Sequence, residues 1–158
     1  MVLKSRITES ESSIVLSVAA GQTIHLIEKC FVHAHPISNG YNYTPTKYIT
    51  FRQANGGVMN KIYNIDRTFP IEMKSWEKEI NQFDIPENIK KELTVYITSR
   101  YKDFDFDKAP KYKFYLLRLL CELPNNPHPP SNNAGGWYYN LKDLKESTGV
   151  VNTIKKSK

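Results

Sequence analysis

Apolar and polar side chains alternate along residues 47–53: Tyr48, Thr50 and Arg52 fall on one side and Ile49 and Phe51 on the other. A period of two predicts a half-buried strand, with Ile49 and Phe51 inward and Tyr48 and Arg52 on the opposite face. Asn55-Gly56-Gly57 then predicts a tight turn, and 58–65 the returning strand with Ile62 inside. A further extended piece follows Arg67. The length of the turn leaves the register of this hairpin open.

The other elements follow from the same kind of reading. Residues 13–20 (SIVLSVAA) form a short apolar run, either a buried strand or a helical turn, broken at Gly21. In 23–33 (TIHLIEKCFVH) β-branched and aromatic residues predict a strand. Turn formers from Pro36 to Gly40 open a loop that carries Tyr41 and Tyr43. Residues 73–83 predict a short amphipathic helix, with Trp76 and Ile80 four apart. The clearest helix is 86–102, where Asp84 can cap, Pro86 suits the first turn and Glu87 favours the positive end of the dipole. Its stripe of Ile89, Leu93, Tyr96 and Ile97, continuing to Arg100 and Tyr101, is a core face. Residues 111–123 (KYKFYLLRLLCEL) divide: the leucines suit a helix, while Tyr112, Phe114 and Tyr115 suit a strand. The run is short, aromatic and closed at Pro124, so a strand is predicted. After the loop 125–136, residues 137–139 predict a last strand, and Asn140 caps a final helical turn over 141–147 with Leu141 and Leu144 inward. This order predicts an α+β fold with a curved, barrel-like mixed sheet and two or three flanking helices. The expected domain is 13–148, between a polar segment 1–12 and a basic tail 149–158.

A chain of 158 residues, 40% hydrophobic and 24% charged, can bury a core without disulfide staples. Its two cysteines, Cys30 and Cys121, lie far apart in apolar surroundings and read as buried free thiols. The first twelve residues are polar, with no apolar signal region, and no run approaches the length of a membrane span. A cytoplasmic protein is expected. The net charge of +6 serves solubility or attraction to polyanions, and its placement matters more than its sum. Residues 102–107 (KDFDFD) are locally acidic; Lys108, Lys111 and Lys113 follow, and Lys155, Lys156 and Lys158 crowd the end of the chain.

Catalytic signatures are thin. His33 and His35 face one way if extended, with Cys30 upstream, yet only Cys121 and His128 could add distant ligands, and no paired ligand motif completes a zinc set. Apolar flanks raise a thiol's pKa, which argues against a cysteine nucleophile. No nucleophile elbow or phosphate-binding glycine loop is present. Asp103, Asp105 and Asp107 alternate with Phe104 and Phe106, and Glu72-x-Lys74 with Asp66 faintly echoes a nuclease site. The aspartate pattern is equally that of a solvated edge with two anchoring rings, and Asp66 stands six residues before Glu72, where the usual order is a strand pair with more separation. No metal or cofactor is expected, and the reading is of a non-catalytic domain.

The aromatic residues carry the best signal. Tyr41, Tyr43, Tyr48, Tyr63, Trp137, Tyr138 and Tyr139 lie in strands or loops of the expected sheet, and Gly135-Gly136 precede Trp137, where backbone can approach a ligand closely. An indole there either walls a site for a base or plugs the core. The segments 47–52, 61–65, 123–130 and 137–144 together resemble the PUA-like superfamily, related to EVE and YTH domains, as found in modules of restriction and phage-defence proteins. That resemblance implies a curved barrel that binds RNA, or DNA with a modified base. It supplies no individual site residue; Arg52 and Trp137 are chosen for chemistry and position.

The expected function is nucleic-acid binding, on DNA or RNA, with recognition of a modified base as its finer form. Trp137 and Tyr139 would stack, with Tyr48 beside them. Arg52, Lys61, Lys111 and Lys113 would contact phosphates, and Asn55 and Asn133 would offer amide hydrogen bonds to a base edge. The alternative is a protein-interaction module, an accessory or inhibitory subunit of a phage-defence system, with the tyrosines as its hot spot and a nuclease or other defence protein as partner.

Overall fold

The computed structural model describes residues 13–38, 43–103, 109–131 and 135–154. Among the described residues there are six strands and four α-helices. They are β1 (Ile14–Ala19), α1 (Ile24–Cys30), β2 (Val32–Pro36), β3 (Tyr48–Arg52), β4 (Met59–Glu72), α2 (Trp76–Gln82), α3 (Glu87–Asp103), β5 (Lys111–Glu122), β6 (Gly136–Asn140) and α4 (Leu141–Glu146). A 3₁₀ turn, Met73–Ser75, leads into α2. The strands hydrogen-bond in the order β2-β5-β4-β3-β1-β6. β1 and β3 run parallel, while β1–β6, β2–β5 and β3–β4 are antiparallel, so the sheet is mixed. The α+β class and mixed sheet predicted from the sequence are those of the protein.

By its internal contacts the chain falls into two compact units. The first comprises residues up to 24, 43–65 and the chain from 118 onward; the second comprises 25–42 and 66–117. In the first unit, β1 lies between β3 and β6, with Ser17 opposite Thr50 on one side and Trp137 on the other. Paired residues point to the same face of a sheet. Val15, Ser17, Tyr48, Thr50, Arg52, Trp137 and Tyr139 therefore share one face, and Leu16, Val18, Ile49, Phe51 and Tyr138 the other. Val15, Met59, Ile62, Leu123, Tyr139, Leu144 and Val151 form a core cluster on the first of these faces. Tyr48, Cys121 and Leu141 pack against it, partly buried. Asn140 caps α4 as predicted: its side chain accepts from the Lys142 N–H at 3.0 Å.

The expected tail begins too early. Val151 is buried, its N–H donates to the His128 carbonyl, and the Ile154 N–H donates to the Tyr138 carbonyl. Packing thus continues past Thr148 to at least Ile154. The hairpin also differs from its half-buried prediction. Ile49, Thr50, Phe51 and Arg52 are all buried, because both faces of β3 are covered. The polar side chains of the outward set are satisfied internally; Thr50 Oγ1 donates to the Lys61 carbonyl at 2.6 Å. The turn is as predicted, with Gly56 and Gly57 at φ of 76° and 72°, where a side chain would be strained. β4 then continues through the piece predicted as separate, to Glu72.

In the second unit, the strand predicted over 23–33 is a helix followed by a strand. Leu26, Ile27 and Cys30 are its buried residues, a spacing of one and four that only a helix brings to one face. Phe31, at φ 58°, ends it in the left-handed conformation, and its N–H donates to the Ile27 carbonyl at 2.8 Å. β2 follows and pairs with β5, Val32 opposite Leu116 and His35 opposite Lys113. On α3, Leu93, Tyr96 and Ile97 are fully buried, as the stripe predicted. The 111–123 conflict resolves to a strand, β5, in which Tyr112, Phe114 and Tyr115 are buried.

Candidate nucleic-acid interface

In the first unit the candidate site grows from the pairing of β1 with β6. Ser17 and Trp137 are opposite one another, on the face that also carries Arg52 and Tyr139. β6 ends the strand order, and Trp137 is 38% exposed there. The indole does not fill the core; it is a surface ring at a sheet edge. Tyr139, two residues on, is fully buried in the core cluster. The stacking role expected of Tyr139 is therefore corrected: no ligand reaches its ring, because α4 and the 149–154 segment supply Leu144 and Val151 against it.

Arg52 is corrected in the same way. It is 1% exposed, so it is no surface phosphate contact. Its Nη1 donates to the Ser17 carbonyl and to Ser17 Oγ, each at 2.8 Å, and its Nη2 donates to the Gly135 carbonyl at 2.6 Å. Burial pulls the guanidinium below its usual pKa, and the nearby Tyr139 and Tyr43 phenols push it back upward. The converse holds for Tyr139: burial raises its pKa and Arg52 lowers it. The Tyr139 hydroxyl is buried with no hydrogen-bond partner among the described residues.

Two glycines shape the approach to Trp137. Gly135 has a φ of 100°, which an L side chain rarely adopts. The ring of Tyr43 occupies the place where a Cβ on Gly136 would stand. Beside it, the Thr44 N–H donates to the Tyr138 hydroxyl at 2.7 Å. Gly136→Ala should therefore displace the Tyr43 ring and cost about 1–3 kcal/mol of stability, read as a lower urea midpoint at constant slope. In a Tyr43→Ala background the same change should cost much less, which a double-mutant cycle measures.

The remaining predicted residues are distributed. Tyr48 is half-buried against the core cluster, and Asn55 is exposed in the turn between β3 and β4. Lys61 is half-buried on β4. Residues 43–65 carry Lys47, Arg52 and Lys61 and no acidic residue. Lys111 and Lys113 belong to the second unit. There Lys111 Nζ lies 3.8 Å from Glu72, and Lys113 Nζ is 5.5 Å from the Tyr115 ring centroid. Tyr41, Asp105, Asp107, Asn133, Lys155, Lys156 and Lys158 lie outside the described residues. Asp103 closes α3, so the alternating acidic run does not begin in an extended segment. Sequence reasoning missed Ser17. The available signal was a lone hydroxyl inside an apolar strand, which implies an internal polar partner.

The second unit holds the histidines considered as metal ligands. His35 Nε2 hydrogen-bonds the Tyr115 hydroxyl and Nδ1 the Pro36 carbonyl, both at 2.9 Å. His33 and Tyr115 have ring centroids 5.5 Å apart. Cys30 is buried, and burial, then the Glu92 charge, pushes its thiol up to about 11, against any role as a nucleophile. Among the described residues no group of three or more His, Cys, Asp or Glu could hold a metal ion. No helix among them is long and apolar enough to cross a membrane.

No family model matches the chain, and no curated protein matches it. Among solved structures it is similar to a serine-to-alanine mutant of the ASCH protein of Zymomonas mobilis (TM-score 0.44, 12% identity, covering 87% of this chain and 80% of that one). It is also similar to the ASCH structure from the same organism (TM-score 0.40, 11% identity, 68% and 71% covered). A third is a tyrosine-to-phenylalanine mutant of that protein (TM-score 0.43, 10% identity, 83% and 92% covered). No residue role passes from them to this chain.

Proposed function

We propose that this protein binds nucleic acid without catalysing its chemistry, and that the first unit contributes a stacking platform at Trp137. The observation that carries the reading is the exposed indole on an edge strand, preceded by two glycines, in a unit whose 43–65 stretch has only basic charge. An accessible π-face accepts any base, and positive charge draws the phosphate backbone. In the first unit Lys61 is the proposed phosphate contact and Asn55 offers an amide for a base edge; in the second unit Lys111 and Lys113 are proposed, by themselves, as phosphate contacts. Selection of a modified base, and service in phage defence, are the finer forms of the same proposal.

The test is anisotropy titration of single-stranded and duplex oligonucleotides, with and without modified bases, across salt. Affinity should fall with salt at a slope of about 0.7 per phosphate contact on single strands. Trp137→Ala should weaken binding by about 1–3 kcal/mol with the slope unchanged. Absence of binding at low salt would sink the proposal.

A second reading has its own observation. Leu119 and Leu120 on β5 are 40% and 37% exposed, so that strand offers an apolar side chain on each of its faces, either of which a protein partner could cover. Co-elution with a candidate defence protein that is lost in Leu119→Ser/Leu120→Ser would favour that interaction module.

A further inference from the structure

We infer that Arg52 is the positioning residue of the Trp137 platform, holding the strand that presents the indole rather than touching the ligand. The inference deepens the proposed nucleic-acid reading and rests on it. A guanidinium presents its donors in a rigid planar fork. Here one arm donates to Ser17, through carbonyl and hydroxyl, and the other to the Gly135 carbonyl. Ser17 is the register partner of Trp137, and Gly135 is two residues before it. Arg52 therefore ties the approach to β6, two residues before Trp137, to the β1 residue opposite the indole. Gly135 accepts this bond at a φ of 100°, a conformation an L side chain rarely adopts. Tyr43 over Gly136 holds the next residue. Among the described residues β6 pairs in the sheet with β1, and beyond that pairing the Ile154 N–H donates to the Tyr138 carbonyl, so the start of the strand at residues 135–137 is the part that Arg52 secures. A lysine in place of Arg52 has one nitrogen and cannot hold Ser17 and Gly135 in the same fork.

The test uses Arg52→Lys and Arg52→Gln in a Trp76→Phe background, so that Trp137 is the only tryptophan. Acrylamide quenching of Trp137 is read without ligand, alongside urea midpoints. Binding of an oligodeoxythymidylate is read at several salt concentrations. The expected result is a higher quenching constant and an affinity about tenfold weaker, since part of the stacking is lost, with the salt slope as in the parent. A slope reduced by about 0.7 with unchanged quenching would make Arg52 a phosphate contact and overturn the inference. Unchanged quenching and affinity would overturn it as well. If the parent does not bind the oligonucleotide, the nucleic-acid reading fails, while the quenching still decides whether Arg52 sets the indole. Should neither Arg52 variant fold, Ser17→Ala removes one acceptor of the fork. It should raise quenching in the same direction by a smaller amount, and no change would overturn the inference.

Discussion

Replacing Tyr96 by alanine should lower the unfolding free energy by about 3–5 kcal/mol, the range for truncating a fully buried aromatic ring. Tyr96 is fully buried on α3, with its ring edge-on to Phe114 at 6.3 Å between centroids. Its hydroxyl accepts from the Ala34 N–H at 3.1 Å and from Arg100 Nη1 at 3.0 Å, and Arg100 also donates to the Ala34 carbonyl at 2.9 Å. One phenol thus joins α3 to the backbone of β2, beyond what its area contributes. Tyr96→Phe keeps the ring and removes the acceptor from both donors. It should cost about 1–3 kcal/mol, the penalty for a buried polar group left without its partner. Urea unfolding of the two variants separates the terms, because the difference between them is the ring. A Tyr96→Phe variant as stable as the parent would mean that the two donors find other acceptors.

Acidification should destabilise the protein as pH falls below about 6.5, and His33 and His35 should account for much of the slope. Burial holds the His33 imidazole well below its usual value, and the neighbouring His35 and Arg100 charges lower it further. His35 is lowered too, by burial first; its bond to the Pro36 carbonyl opposes this, and Lys113 adds to it. The unfolded chain takes up these protons near the ordinary imidazole value of 6.5, and the native protein does not. The unfolded state therefore binds more protons in this window. Their contribution is fully present above 6.5 and is lost as pH drops toward the folded values, at about 1.4 kcal/mol per pH unit for each proton. Urea midpoints from pH 7.5 to 5.0 measure the slope, and His33→Gln with His35→Gln should flatten it. An unchanged slope in the double variant would assign the acid lability to other groups.

Much of the fold is legible in the residues. The alternation at 47–53, the glycines at 56 and 57, the stripe of α3 and the Asn140 cap all act through near neighbours, and each forms where its local chemistry puts it. The 23–33 segment is different, because its composition favours a strand while the buried set of Leu26, Ile27 and Cys30 is helical. Tertiary burial overrode the propensity there. The candidate site was half legible for a related reason. Trp137 could be singled out as a ring after two glycines, but its exposure depends on being at the end of the strand order. Tyr139 has the same chemistry two residues away and is sealed by Leu144 and Val151.

The sequence alone determined the periodicities, the turns, the cap and the supply of rings and basic charge, since these follow from backbone preference and side-chain type over a few residues. Which of those side chains meet solvent was decided only by the tertiary structure. Arg52 has the composition of a phosphate contact, yet pairing of β3 with β1 and of β1 with β6 brings Ser17 and the Gly135 carbonyl to its guanidinium, and it turns inward. An alternating pattern marks two faces of a strand; it carries no information about what distant segment will cover each of them.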